Sequence, residues 1–156
     1  MHSRTFLVAM LVAFAPHAVA QEAFDACEVF TQADAEAALG TSAQPEPVNP
    51  KVKRPKVVPK CTYNGFKEGK AVAATVEFRS GKTEGDVKSA FGEHRLQVQT
   101  KPILLTGSEA FWSAKTGQMN LRKDRTWAQI SVGPAKPADR DLDQAKKLAE
   151  ILVKKL

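Results

Sequence analysis

Hydrophobic residues recur along this chain with two different periods, and each period predicts its own kind of element. The clearest period of two lies near the centre. Met119 and Leu121 alternate with polar neighbours, Lys123-Asp124-Arg125 forms a turn, and Ala128, Ile130 and Val132 line one face of the return segment. That pattern predicts an antiparallel hairpin over residues 118–132. The stretch leading into it, Gly107-Ser108-Glu109-Ala110-Phe111-Trp112, carries one tryptophan, and Trp127 in the return segment is the other. Trp127 falls on the face opposite Ala128 and Ile130. It belongs either to a second packed layer or to an exposed aromatic contact.

Two earlier strands alternate in the same way. Cys61 and Tyr63 share one side of residues 60–64, and Val72, Ala74, Val76 and Phe78 share one side of residues 71–79. Three segments follow the helical period instead. Thr31 with Asp34 three residues later reads as a capping box, Ala35, Ala38 and Leu39 share a face, and Gly40 supplies a left-handed stop. From Thr83 to Val98, the residues Val87, Phe91, His94 and Val98 make one stripe. The closing segment has Asp139, Asp141 and Asp143 at its start and four lysines further on, as the helix dipole favours. Its stripe is Leu142, Ala145, Ala149, Leu152 and Leu156, broadened by Leu148 and Ile151, with Asp143 and Lys147, and Glu150 and Lys154, at ion-pair spacing. Strands adjacent in sequence with short turns predict an α+β domain: an antiparallel sheet of about five strands flanked by helices.

The first twenty residues stand apart from this pattern. Arg4 precedes an apolar run from Phe6 to Phe14, and Ala18-Val19-Ala20 ends it, the order of a cleavable secretory signal. The run is far short of the ~20 residues that cross a bilayer. A lipid anchor requires a small-residue motif ending in Cys directly after the apolar run, whereas Cys27 follows Phe24-Asp25-Ala26. The expectation is a soluble periplasmic or secreted domain over residues 21–156. Two cysteines in an oxidising compartment then read as one disulfide, Cys27 to Cys61.

Net charge changes the picture at one place. The chain carries +6, and much of the excess sits between Thr41 and Lys60. There Pro45, Pro47, Pro50, Pro55 and Pro59 exclude a helix or a central strand, and Lys51, Lys53, Arg54, Lys56 and Lys60 are interleaved with them. This is either a solvated loop or an extended basic arm for an anionic envelope polymer, a lipid surface or another envelope protein. Nucleic acid is not expected for an exported domain.

Candidate chemistry is sparse. After cleavage one histidine is left, His94, and its place on an apolar stripe argues for a hydrogen-bonded packing role over that of a base. A single histidine and two oxidised cysteines do not furnish a zinc site. Asp139, Asp141 and Asp143 lack the glycine and distal glutamate of a calcium loop. No cofactor motif is present, and the sequence assigns no catalytic or metal residue.

The motifs together resemble a family of small bacterial envelope proteins of undefined biochemistry, many of them lipoproteins. Cys27, Phe30, Thr31, Asp34, Leu39 and Gly40 match its Cys…Leu-Gly segment. Cys61 and Tyr63 match its Cys-x-Tyr, and Gly107, Ala110, Phe111 and Trp112 its Gly-x-x-Ala-aromatic-Trp. The resemblance implies a sheet flanked by helices, of the PsbP-like kind, in an envelope location, and it brings no catalytic residues. The absent lipobox sets this chain apart from the lipoprotein members. A non-catalytic binding or accessory protein is the favoured class. A secreted inhibitor presenting residues 51–60, and an enzyme using carboxylates or hydroxyls, are the alternatives.

Intact mass of exported protein is expected to place the new N-terminus at Gln21 and to rise by two hydrogens on reduction. Two free thiols in periplasmic material would remove the disulfide, worth roughly 4 kcal/mol for a loop of this length.

Overall fold

Hairpin turns set the order of the sheet. A computed structural model describes residues 25–45 and 58–156. The predicted leader lies outside the described residues, and so do Lys51, Lys53, Arg54 and Lys56. The elements run α1 (Ala26–Val29), α2 (Gln32–Leu39), β1 (Lys60–Lys67), β2 (Lys70–Ser80), α3 (Glu84–Gln97), β3 (Thr100–Leu105), β4 (Ser108–Ser113), β5 (Gln118–Lys123), β6 (Thr126–Gly133) and α4 (Leu142–Val153). Glu68-Gly69 joins β1 to β2 with both residues at positive φ, 52° and 75°. That is the backbone twist a two-residue hairpin needs. Tight turns likewise join β3 to β4 and β5 to β6. The strands form one antiparallel sheet in the order β1-β2-β6-β5-β4-β3.

The sheet has six strands where the hydrophobic pattern suggested about five. The additional one is β3, whose Pro102 interrupts the pattern. β3 is an outer strand, where a proline costs the ladder nothing as long as its nitrogen faces away from the neighbour.

One face of the sheet carries the main core. Cys61 and Tyr63, Val76 and Phe78, Met119 and Leu121, Ile130 and Val132, and Trp112 all contribute to it. Two helices cover this face, and their sequences explain why. In α4, Ala145, Leu148, Ala149 and Leu152 are fully buried. Two alanines in that stripe let the helix sit close to the sheet, while Leu142, Val153 and Leu156 close its margins. Leu148 thus belongs to the centre of the stripe, while Ile151 is only half-buried on its flank. On the solvent side Lys146 meets Glu150 at 3.9 Å, out of step with the pairs that spacing alone suggested. Asp141 caps the helix, accepting from the Asp143 N–H at 2.7 Å.

α2 fills the remainder of this face with Ala35, Ala38 and Leu39. It starts at the expected box: the Thr31 backbone N–H and hydroxyl both donate to Asp34 at 2.8 Å. It ends at Gly40, φ 69°. The short α1 places Cys27 for its disulfide with Cys61, and Phe30 packs edge-on against Tyr63 with ring centroids 5.3 Å apart. Asp34 also accepts from Lys155, just past the end of α4, and Lys155 reaches the Val29 carbonyl at 3.1 Å. Burial alone would push the Asp34 carboxyl up. The hydrogen bonds from Lys155 and Thr31 outweigh it and hold the carboxyl below its ordinary range.

Leu152→Asp sets an unpaired charge in the core and is expected to abolish cooperative unfolding. Lys154→Ala, on the exposed side, should leave the melting temperature within a degree or two of the parent, as surface changes do. An unchanged melting temperature in Leu152→Asp would overturn the stripe. Asp34 stabilises the fold while ionised, so its contribution is complete above the ordinary carboxylate pKa of about 4 and disappears as pH falls through the lowered folded value. Asp34→Asn should therefore be less stable than the parent at neutral pH and lose less stability between about pH 5 and about pH 2. Parallel stability curves for the two proteins would contradict this.

Candidate functional site

The second face of the sheet differs in kind. Its positions on the central strands are Phe111 of β4, Asn120 and Arg122 of β5, and Trp127 and Gln129 of β6, all buried. Among the described residues, α3 alone lies over them. Thr83 caps this helix in a second capping box, with Asp86 accepting from the Thr83 N–H at 3.0 Å and Thr83 Oγ1 accepting from the Asp86 N–H at 3.1 Å. Val87 and Phe91 then meet Phe111 and Trp127 in a small aromatic cluster distinct from the main core. Phe91 stands edge-on to Trp127, centroids 5.8 Å apart.

Polar groups are threaded through this cluster. The Trp127 indole N–H donates to Asn120 Oδ1 at 3.1 Å, and the Gln129 amide donates to the same oxygen at 3.2 Å. Gln129 Nε2 lies 3.3 Å from His94 Nε2. Burial, with the Arg79 guanidinium nearby, holds the His94 pKa below its ordinary value. Nearer the start of α3, Arg122 is buried and bonds Glu109 at 2.9 Å and Glu84 at 3.1 Å. It thereby ties the helix to β4 and β5. The Arg122 hydrogen bond is the main reason the Glu109 carboxyl sits below its usual range.

Beside the α3 start is a groove of about 490 Å³, lined by Ser80, Gly81, Lys82, Asp124, Arg125 and Thr126. A recess of about 230 Å³ adjoins it through Ser80 and Gly81, and its walls include Arg79, Val87 and Trp127. The chain turns tightly here. The Gly81 N–H donates to the Arg125 carbonyl at 3.3 Å, and Arg125 donates back to the Lys82 carbonyl at 3.4 Å. A Cβ on Gly81 would lie 2.7 Å from the Val87 side chain, so the approach of this turn to α3 requires glycine. Arg79 stacks over the Trp127 ring at 4.8 Å, a cation–π contact that leaves its charge at the mouth. Arg79, Lys82 and Arg125 are all exposed, and together they make this end of the sheet cationic.

Pro59, at the end of the proline- and lysine-rich segment, meets the sheet at the same end. The Phe78 N–H donates to the Pro59 carbonyl at 2.8 Å, one residue along β2 from Arg79. Lys60 pairs with Glu77 at 3.7 Å. Of the five arm cations, Lys60 is therefore placed on the sheet near Arg79, and the other four lie outside the described residues. Trp127 belongs to the second packed layer: at 3% exposure it is no surface contact, and its reading as an exposed aromatic is corrected. His94 lies on the inner stripe of α3, hydrogen-bonded as that stripe suggested.

Three features escaped sequence reasoning: the Asn120, Gln129 and His94 chain, the Arg122 clamp and the cationic groove. The first two had a signal, since polar residues recur at the outward positions of a hairpin that a helical stripe must face. Among the described residues no group of three or more His, Cys, Asp or Glu is placed to hold a metal ion. No helix among them is long and apolar enough to cross a membrane. Comparison with protein-family models, with curated proteins and with solved structures found no match to this chain.

Proposed function

We propose that this chain is an exported, non-catalytic binding or accessory protein of a bacterial envelope, and that it contacts an anionic surface through its basic arm and the cationic end of its sheet. The observation that carries this reading is the convergence at the end of β2. The segment bearing Lys51, Lys53, Arg54 and Lys56 leads in sequence to Pro59, whose carbonyl accepts from the Phe78 N–H next to Arg79, and Lys82 and Arg125 line the adjoining groove. Charges gathered on one end of a small domain attract polyanions without needing an enclosed pocket. The disulfide and the leader-like N-terminus support an oxidising, exported setting, as does the resemblance to small envelope proteins. The engagement of His94 with Gln129 supports a non-catalytic role, because it takes up the ring nitrogen that a base would present.

Binding to vesicles containing anionic lipid, and to a soluble polyanion, tests the proposal. Affinity should weaken roughly tenfold or more as ionic strength rises from about 0.01 M to about 0.1 M, where the screening length shrinks from about 30 Å to about 10 Å. Changing Lys51, Lys53, Arg54 and Lys56 together to Ser should remove most of the binding. Lys82→Ser with Arg125→Ser, which leaves Arg79 on Trp127, should weaken it several-fold. Unaltered binding in both variants, or binding indifferent to salt, would refute the reading.

A further inference from the structure

The polar chain beneath α3 has a direction, and the donor and acceptor capacities of its members fix it. The Trp127 indole nitrogen only donates, so Asn120 must turn Oδ1 towards it. That oxygen also receives Gln129, so Gln129 must turn its NH₂ towards Asn120. Reversing Asn120 would set its amide against two donors. Its actual orientation leaves only Nδ2 facing no acceptor among the described residues. With one amide hydrogen of Gln129 on Asn120, the other points to His94 Nε2, 3.3 Å away. The nitrogen that receives it must carry a lone pair. His94 is therefore the neutral tautomer, protonated at Nδ1 and accepting at Nε2.

We infer that His94 is a pH-sensitive latch on α3: neutral, it accepts from Gln129 and holds the helix to the sheet, and protonated at Nε2 it meets that amide donor to donor and releases the helix, uncovering Trp127 and Phe111. The inference is independent of the anionic contact proposed above. Packing makes the latch consequential. The aromatic cluster under α3 has four buried members, Val87, Phe91, Phe111 and Trp127, against a main core several times larger. His94 lies tilted against two of them, with ring centroids 5.1 Å from Trp127 and 6.1 Å from Phe111.

The charged surroundings do not rescue a protonated imidazole. On β2 the nearest cation is Arg79, which repels it, and Glu77, opposite Gln129 in the ladder, is engaged with Lys60. On β4 and β5, Glu109 and Arg122 neutralise one another. The β6 side offers only Trp127 and Gln129. On α3 itself Glu93 and Arg95 are exposed, and Glu93 accepts from Ser89. The sign follows. The folded pKa lies below the ordinary value of about 6.5, so the contribution of His94 is complete above that value and is lost as pH falls from it through the folded pKa.

Two measurements on the full chain decide the matter. Hydrogen exchange of the α3 amides, corrected for intrinsic rates, should quicken roughly tenfold between about pH 7.5 and about pH 5, the effect of leaving one buried donor without its acceptor. In His94→Gln, whose side-chain oxygen can accept from Gln129 without titrating, α3 should stay protected and its exchange should lose this pH response. The second measurement needs no variant: nitrogen chemical shifts of the assigned His94 ring should report an unprotonated Nε2 at neutral pH and titrate with the midpoint of the exchange change. Proton occupancy at Nε2 at neutral pH, or an α3 response that persists in His94→Gln, would overturn the latch. So would exchange that ignores pH in the parent.

Discussion

The fit of α4 against β5 and β6 is the contact on which the other parts depend. It seals the central strands on one side with Ala145, Leu148, Ala149 and Leu152, all without solvent exposure. It also fixes where α2 lies, because Lys155 just beyond it is the partner of Asp34. The loop before α4 is locked by another long side chain. Arg140 donates to the carbonyls of Pro134, Thr116 and Ala135 and to Ser131 Oγ. Close approach through small residues, with cations satisfying carbonyls at both ends, makes α4 a rigid back to the sheet.

That arrangement leaves the other face under-covered, which is where the functional readings arise. Helices α2 and α4 share the first face, whereas among the described residues α3 alone crosses the second, and β1 and β2 present Thr62, Thr75 and Glu77 there half-exposed. Thr62 and Thr75 hydrogen-bond across the ladder at 3.0 Å, as polar residues on an open sheet face do. The two tryptophans mark the contrast. Trp112 is embedded in a large apolar core. Trp127 sits in a small cluster whose contacts are partly amide, imidazole and guanidinium. A layer held by few apolar contacts and a directed hydrogen-bond chain opens at lower free energy than a layer held by area alone.

Much of the fold was legible because local signals and burial agreed. The alternation of residues 119–132, the capping box at Thr31 and the stripe from Val87 to Val98 all marked elements that formed. So did the stripe of α4 and the cysteine count. β3 was hidden because Pro102 is a strand breaker everywhere except at an edge, and being at an edge is a property of the whole sheet. α1 was too short for any periodicity. The site was harder to read for the same physical reason. Asn120 and Gln129 lie nine residues apart, and His94 lies 35 residues from Gln129. Their relation depends on the pairing of β5 with β6 and on α3 lying across both, which no local pattern states. The proline- and lysine-rich segment, by contrast, was plain in composition, but composition does not say that Pro59 bonds Phe78, one residue from Arg79.

The pairing of Asp34 with Lys155 spans 121 residues of chain, and this separation bears on how the protein reaches its native state. Hairpins such as β1–β2 and β5–β6 close short loops and form quickly, whereas a contact of such range must first overcome the entropy of a very large one. The bond between Cys27 and Cys61, only 34 residues apart, changes that path. Once it forms, α1 is tied to β1 with α2 following directly, and α4 docks onto a surface already assembled instead of gathering two distant segments at once. The cross-link then acts as a kinetic shortcut as well as a brace. In its absence the apolar face of the central strands would stay open longer, and association between chains would compete with folding.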